Sequence, residues 1–403
     1  MNKAVKVRYY IESLCVYDFK QDEIINALYD LLNSLEDETV LTKQSRFFNL
    51  LSSHHSLRHY VSKLILTDDN VFTKAAAAGK CDELDPSILD GVKADLEKLE
   101  VIASISAEDI YKAEEDSDIA DVLKTMPKWN PNGRAMLPLT DDWAEHIEDL
   151  KAFHRTNGYG MFAKFVAFTW RNEEFVPITA IDSIRLTDLK NYEVQRGKVV
   201  DNTVAFISDL PANNILLYGD RGTGKSSTVH AILNEYKNRG LRMIEISKGD
   251  INDLTMIREK ISDSPMKFII FIDDLSFQRQ DECYTSLKAV LEGGVAALPK
   301  NALIYATSNR RHLVKENFED RDCNDVNRRD NMQETLSLSD RFGLAVGYYV
   351  PDKRRFLHIV EELAKAHHID MDQEQLFLQA ESFATQRATR SPRTAQQFIK
   401  SLL

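Results

Sequence analysis

Cysteine is scarce. Cys15, Cys81, Cys283 and Cys323 are the four in 403 residues. They have neither the paired spacing of a zinc site nor the density of a disulfide scaffold, which predicts a reducing, cytoplasmic setting. No stretch reaches 18 apolar residues, so no membrane-spanning helix is expected. The start, "MNKAVKVRYYIESLCVYDF", has basic residues but neither a clean apolar run nor a cleavage signature, so no export leader is expected. An excess of positive charge is missing too. The 51 Lys and Arg against 63 Asp and Glu leave a formal charge of -12, which argues against a broad non-specific nucleic-acid surface while leaving room for a local basic patch. There is no zinc finger, no arginine-clustered recognition helix and no basic-aromatic strip. The segment "SFQRQDECY", beginning at Ser276, lacks the aromatic-hydrophobic-glycine loop of threading machines. His54, His55 and His59 in "HHSLRH" have no acidic or cysteine ligand at a telling spacing and read as surface histidines.

The apolar content, 43 %, supplies material for a core, and the length allows two or three domains. Residues 1–175 read as a mainly helical N-terminal domain. "DEIINALYDLLNSLE" repeats apolar residues at three- and four-residue steps, and "HSLRHYVSKLILT" and "GYGMFAKFVAFTW" read as further packed helices. Acids far outnumber bases between Asp82 and Asp121; that run reads as a solvated face or polar loop, with a regulatory surface as the alternative. "MPKWNPNGRAMLPLTDDW" is rich in turn formers and reads as a long connection. After Pro177 strands and helices alternate: "NNILLYG", "RMIEIS", "KFIIFIDD", "NALIYATSN" and "LAVGYYV" are the strands. This predicts a mostly parallel sheet with helices on both faces over 176–350. Residues 351–403 read as helices only, a small C-terminal domain.

The stretch "LLYGDRGTGKSS" fits the spacing GxxxxGK[ST] through Gly219, Gly224, Lys225 and Ser226. Glycines let the backbone turn tightly and aim its N–H groups at phosphate oxygens, and the following helix adds its positive end. Lys225 is placed to reach the β- and γ-phosphates and the Ser226 hydroxyl to coordinate magnesium. The motif follows a predicted strand and opens a predicted helix, the context that such a loop needs. "KFIIFIDD" brings two carboxylates to the C-terminal end of a buried strand, where ligands bind in an open parallel sheet. Asp273 suits the magnesium and Asp274 the attacking water. Asn309, ending the next strand, suits hydrogen bonds to both γ-phosphate and water. Arg310, Arg311, Arg341 and Arg393 are candidates to neutralise transition-state charge, or else are surface arginines that cap or pair with acids.

"GDRGTGKSS", "FIIFIDD", "LIYATSN", "SDRFG" and "SPRTAQQF", in that order, resemble the AAA+ ATPases. The chain is more closely similar to a bacterial family catalogued as domain of unknown function 815, which shares "NYEVQRGKVVDNTVAFI", "IIFIDDLSF", "LKAVLEGG" and "IYATSNRRHL". The resemblance is close over about 180–403. It implies an α/β fold: a P-loop NTPase three-layer α/β/α AAA+ core with a mostly parallel sheet, and a C-terminal helical lid. It further implies binding of ATP with Mg2+ and ATP hydrolysis, with Gly219, Asp220, Arg221, Gly222, Thr223, Gly224, Lys225, Ser226 and Ser227 as the Walker A loop. Asp273 and Asp274 then match Walker B, Asn309 matches sensor 1 and Arg393 matches sensor 2, acting in cis. Arg341 matches the arginine finger, which acts in trans and so implies a homo-oligomer; Arg310 and Arg311 remain alternatives. Leu189 and Tyr192 match the adenine-pocket stretch, with core packing as the other reading of Tyr192.

Two departures stand out. Most relatives have glutamate where this chain has Asp274, and displacing a catalytic group by about 1 Å costs roughly a hundredfold in rate. The polar segment 315–335, containing Cys323, either holds the trans element or is a surface insertion. Three readings follow: an ATPase that remodels or loads a protein partner; a slow-turnover ATP-gated switch; and a nucleic-acid-associated loader, which the acidic N-terminal region disfavours.

Overall fold

The structure, a computed structural model, describes every residue except 1, 36, 116, 132, 278–281, 293–298 and 310–339. The chain divides into two compact units, Met1–Lys164 and Phe165–Leu403. None of the described helices is long and apolar enough to cross a membrane.

Among the described residues the regular elements of the first unit are helices: α1 (Lys3–Glu12), α2 (Glu23–Asn33), α3 (Val40–Leu51), α4 (Leu57–Leu66), α5 (Val71–Ala78), α6 (Pro86–Ala103), α7 (Ala107–Ala113), α8 (Ala120–Thr125), α9 (Ile147–Asn157) and α10 (Gly160–Lys164). The acidic run is not a polar loop. It contains α6, whose Val92, Leu96, Leu99 and Ile102 are buried at the helical period together with Asp95, while Asp90 and Glu97 lie on the exposed face. The described residues of the turn-rich connection after it form no regular element before Trp143, yet it is pinned by Trp129, Leu139 and Trp143, all buried in the unit's core. Trp129 packs edge-on against Phe47 at 5.0 Å and donates its indole N–H to the Ile105 carbonyl.

The second unit is built on seven strands: β1 (Ala167–Arg171), β2 (Glu174–Pro177), β3 (Ile215–Gly219), β4 (Leu241–Ile246), β5 (Lys267–Ile272), β6 (Ala302–Ser308) and β7 (Leu344–Tyr348). Their order is β2-β1-β4-β5-β6-β3-β7, and every pair is parallel except β1 with β2. Ile215, Leu217, Ile269 and Phe271 form a core with Val199 of α11 (Glu193–Ile207) and Val229 and Ile232 of α12 (Lys225–Tyr236). Leu216, Ile270 and Ile304 alternate to the opposite face and are just as buried, so both faces are covered, as parallel sheets require. Helices α13 (Leu254–Ile261) and α14 (Glu282–Leu291) complete the α/β part.

One expectation fails here. "FVAFTW" is not helix but strand β1, and it adds to the β4 edge in register Ala167↔Met243. A two-residue turn with positive φ at Asn172 and Glu173 returns the chain as β2. The second unit therefore starts at Phe165, upstream of the expected boundary at 175. After β7 come α15 (Lys353–Ala366), α16 (Gln373–Gln386) and α17 (Pro392–Lys400), packed around Phe356, Val360, Ala380 and Phe398. Asp352, Asp372 and Ser391 cap their N-termini.

Candidate functional site

The chain leaves β3, jumps past β6 and β5 to β4, then returns; only after β6 does it cross to β7 on the other side of β3. The strand order thus reverses at β3, and a crevice opens at its C-terminal end. The loop begins where β3 runs out. Gly219 has φ +125, and a Cβ there would lie 2.0 Å from the Tyr348 carbonyl oxygen, so only glycine lets β3 pair with β7 to its end. Gly224, φ +92, opens α12 with no side-chain cap, and nothing lies within 4 Å of the position its Cβ would take. The first N–H groups of α12 lack intrahelical acceptors and carry the positive end of the helix dipole.

Lys225 is buried, and its Nζ donates to the carbonyls of Gly219 (3.0 Å) and Asp220 (2.7 Å) and reaches Asn309 Oδ1 at 3.4 Å. Burial pulls its pKa below the ordinary lysine value, against the opposing pull of Asp220, Asp273 and Asp274. The buried run of β5 ends at Ile272, so Asp273 and Asp274 emerge exposed. The Ser226 hydroxyl donates to Asp273 Oδ1 at 2.6 Å. Asp274 has φ +51 and accepts a 2.5 Å hydrogen bond from Asn309 Nδ2. These contacts bring the glycine loop, β5 and β6 together at one point.

A cleft of about 380 Å³ surrounds that point. Its lining includes Leu189, Tyr192, Arg221, Gly222, Thr223, Gly224, Lys225, Ser226, Ser227, Asp273, Asp274, Asn309 and Arg393. Gly219 and Asp220 are not in the lining. They sit beneath the loop, where the Asp220 carboxylate accepts the Val350 N–H at 2.7 Å. Arg341 does not line the cleft of its own chain and pairs with Glu292 at 2.5 Å. Arg310, Arg311 and the segment 315–335 with Cys323 lie outside the described residues. Arg393 arrives on the first turn of α17, and its backbone N–H donates to the Gly222 carbonyl at 3.1 Å.

Tyr192 is both a cleft residue and a packed one. It lines the cleft, and it also packs on Tyr348 with ring centroids 5.1 Å apart and donates its hydroxyl to the Tyr349 carbonyl at 2.6 Å. Burial raises its pKa above the usual phenol range. Asn191 and Tyr192 are both left-handed, with φ +70 and +64, which for tyrosine costs about 1–2 kcal/mol. The loop is held by a residue that the motif reading missed. Arg196, one turn into α11, donates from Nη1 to the carbonyls of Leu186 (2.6 Å) and Leu189 (2.7 Å). Thr307 was also missed, because a threonine in a strand reads as an ordinary β former; it too lines the cleft.

The lining suits a magnesium nucleotide. Five cations (Lys190, Arg196, Arg221, Lys225 and Arg393) face two carboxylates, a positive cleft in an acidic chain that favours a polyanion. Ser226 Oγ and the Asp273 carboxylate are hard oxygen donors, the kind that magnesium takes. The volume lies in the range of small-molecule pockets.

Strand order, loop position and helical C-terminal extension together define a P-loop fold of the AAA+ type. The family model described as "Protein of unknown function (DUF815)" matches residues 163–403, well over half of the chain, and the protein belongs to that family. No significant match to a curated protein was found. Among solved structures, a single-residue variant of RuvB from Thermotoga maritima is similar with 15 % identity and a TM-score of 0.38, over 54 % of this chain and 63 % of that one. A structure titled as the Holliday junction branch migration motor RuvB of the same organism gives 12 % identity and a TM-score of 0.34, over 54 % and 72 % of the two chains. A DNA replication initiation factor gives 18 % identity and a TM-score of 0.36, over 56 % and 65 %. This chain thus spans a little under two thirds of the RuvB variant and of the initiation factor.

Proposed function

We propose that the protein is a magnesium-dependent ATPase of the AAA+ type that works as a homo-oligomer on a protein partner. The observation that carries this reading is the 2.6 Å contact of Ser226 with Asp273, which joins a glycine-rich loop to a strand-end carboxylate inside one positive cleft. The loop 219–227 and Lys225 would bind the phosphates, and Leu189 and Tyr192 would line the base. Ser226 and Asp273 would hold the magnesium that accompanies ATP, whose charge offsets that of the phosphate oxygens. Asp274 would orient or deprotonate the attacking water, and Asn309 would hydrogen-bond both that water and the γ-phosphate. Arg393 would neutralise charge from the lid in cis, and Arg341 of a neighbouring copy in trans. The domain roles would then be these: 1–164 receives or regulates the partner, 165–350 holds nucleotide, and 351–403 moves with phosphate release.

A second reading has its own support. The Asp274 carboxylate is one methylene shorter than glutamate and is already held by Asn309 at 2.5 Å, which favours a switch that binds ATP and turns over rarely.

The test is nucleotide binding and phosphate release against protein concentration. Lys225→Ala is expected to lose ATP binding. Arg341→Ala is expected to bind ATP without turnover, and mixtures with wild type to be partly active. A wild-type rate of order one per second supports the motor, and a far slower rate at every concentration supports the switch. Failure of ATP and ADP to bind with magnesium at millimolar concentration overturns both. Salt-sensitive binding of labelled DNA would count against a protein-only partner.

A further inference from the structure

Asp273 is exposed and stands between two openings. It lines the nucleotide cleft on one side and, on the other, a groove bordered by Arg171, Ser247 and Asp250. Packing alone does not fix a short carboxylate with open space on both sides. Its neighbour Asp274 has a left-handed backbone, which also needs support. One buried residue supports both. Thr307 is 2 % exposed, at the end of β6, one step beyond the last β5–β6 pair, Ile272↔Ala306. Its hydroxyl donates its single proton to Asp273 Oδ1 at 2.5 Å and accepts the Asp274 N–H at 2.9 Å. Its carbonyl accepts the Leu275 N–H at 2.7 Å. Three consecutive residues, 273 to 275, are thus registered against a single threonine.

We infer that Thr307 is a positioning residue for the metal site: its hydroxyl sets the direction of the Asp273 carboxylate and, through the Asp274 amide, the spacing of the two acids. The inference rests on the proposed nucleotide site and adds a role that the motif does not contain. Ser226 shares Asp273 Oδ1 but must also serve the metal, whereas Thr307 is buried and keeps its bond whichever way Ser226 turns. The methyl group of Thr307 cannot do this work, so loss of the hydroxyl and loss of bulk are separable.

The experiment compares full-length wild type, Thr307→Val, Thr307→Ala and Thr307→Ser by binding of a fluorescent ADP analogue, titrated with Mg2+ and repeated in EDTA. Thermal unfolding of each variant checks that it folds. Thr307→Val is expected to need about tenfold more Mg2+ to tighten nucleotide binding, while affinity in EDTA stays within about twofold of wild type. Thr307→Ser, which keeps the hydroxyl, is expected to follow wild type; Thr307→Ala is expected to follow Thr307→Val and carries the test should valine not fold. A wild-type Mg2+ titration in the folded variants lacking the hydroxyl overturns the inference. So does a serine variant shifted as far as valine. If wild type itself binds no nucleotide, the nucleotide site fails first, a result distinct from wild-type binding with no effect of Thr307.

Discussion

The two units each contain carboxylates with several hydrogen-bond donors, and the contrast separates structure from chemistry. In the first unit Asp95 of α6 is fully buried and accepts the N–H groups of Cys15 (2.9 Å), Val16 (2.7 Å) and Tyr17 (3.2 Å). Lys98, one turn on, meets its other oxygen at 3.3 Å and donates to the Ser13 carbonyl at 2.6 Å. One turn of α6 thus clamps the segment between α1 and α2, and every donor to Asp95 comes from the unit itself. In the second unit Asp273 is exposed at a strand end, and its partners are two hydroxyls that border a cleft. A carboxylate sealed by amides holds a fold together; one tethered by hydroxyls beside open space is kept ready for something that arrives.

The sharpest way to break this contrast is to truncate both acids. Asp95→Ala leaves three backbone donors without their acceptor and is expected to destabilise the first unit by about 3 kcal/mol, read by urea unfolding of the full chain. Asp273→Ala is expected to leave stability within about 1 kcal/mol of wild type while abolishing the Mg2+ effect on nucleotide binding. Equal unfolding losses in the two variants would erase the distinction.

A smaller effect is expected at Arg196. Lysine keeps the charge but not the two-pronged grip on Leu186 and Leu189, so Arg196→Lys should weaken ADP binding about fivefold with little change in melting. Unchanged affinity would show that the 186–192 loop holds itself.

The smallest concerns His154 in the first unit. It is buried beside Phe72 and Phe153, its Nδ1–H donates to the Gly158 carbonyl at 2.9 Å, and its Nε2 has no partner among the described residues. Burial lowers its pKa, so the unfolded chain takes up the proton first. The stability that it contributes is intact above about pH 6.5 and falls as pH drops below that, by no more than about 1.4 kcal/mol per pH unit. Burial raises the pKa of Asp68, which acts in the opposite sense. Asp68 stays in both chains, so the difference between wild type and His154→Phe isolates the histidine. If the two lose stability in parallel between neutral and mildly acid pH, His154 is not the group responsible.

The site was more legible in the sequence than its supports. A glycine loop between strand and helix, and two acids ending the run Phe268–Ile272, follow from local spacing and need no tertiary information. Strand β1 was not legible because "FVAFTW" is a short apolar run, which periodicity alone cannot assign; pairing with β4 makes it a strand. Helix α6 was hidden by its charge, since Asp90 and Glu97 on its exposed face drew attention while Val92, Leu96 and Leu99 face inward. Thr307 and Arg196 carry no motif. Their roles appear only once β6 lies beside β5, and once α11 lies under the loop that precedes it.

The C-terminal helices are stitched to the glycine loop at two places. Asp220 grips the Val350 amide where the chain leaves the sheet, and Gly222 accepts the Arg393 amide near the far end of the bundle. The chain between those stitches forms a closed circuit hung on one tight turn. The glycine loop and the three helices therefore share their anchor points, so neither can be rebuilt without meeting the other.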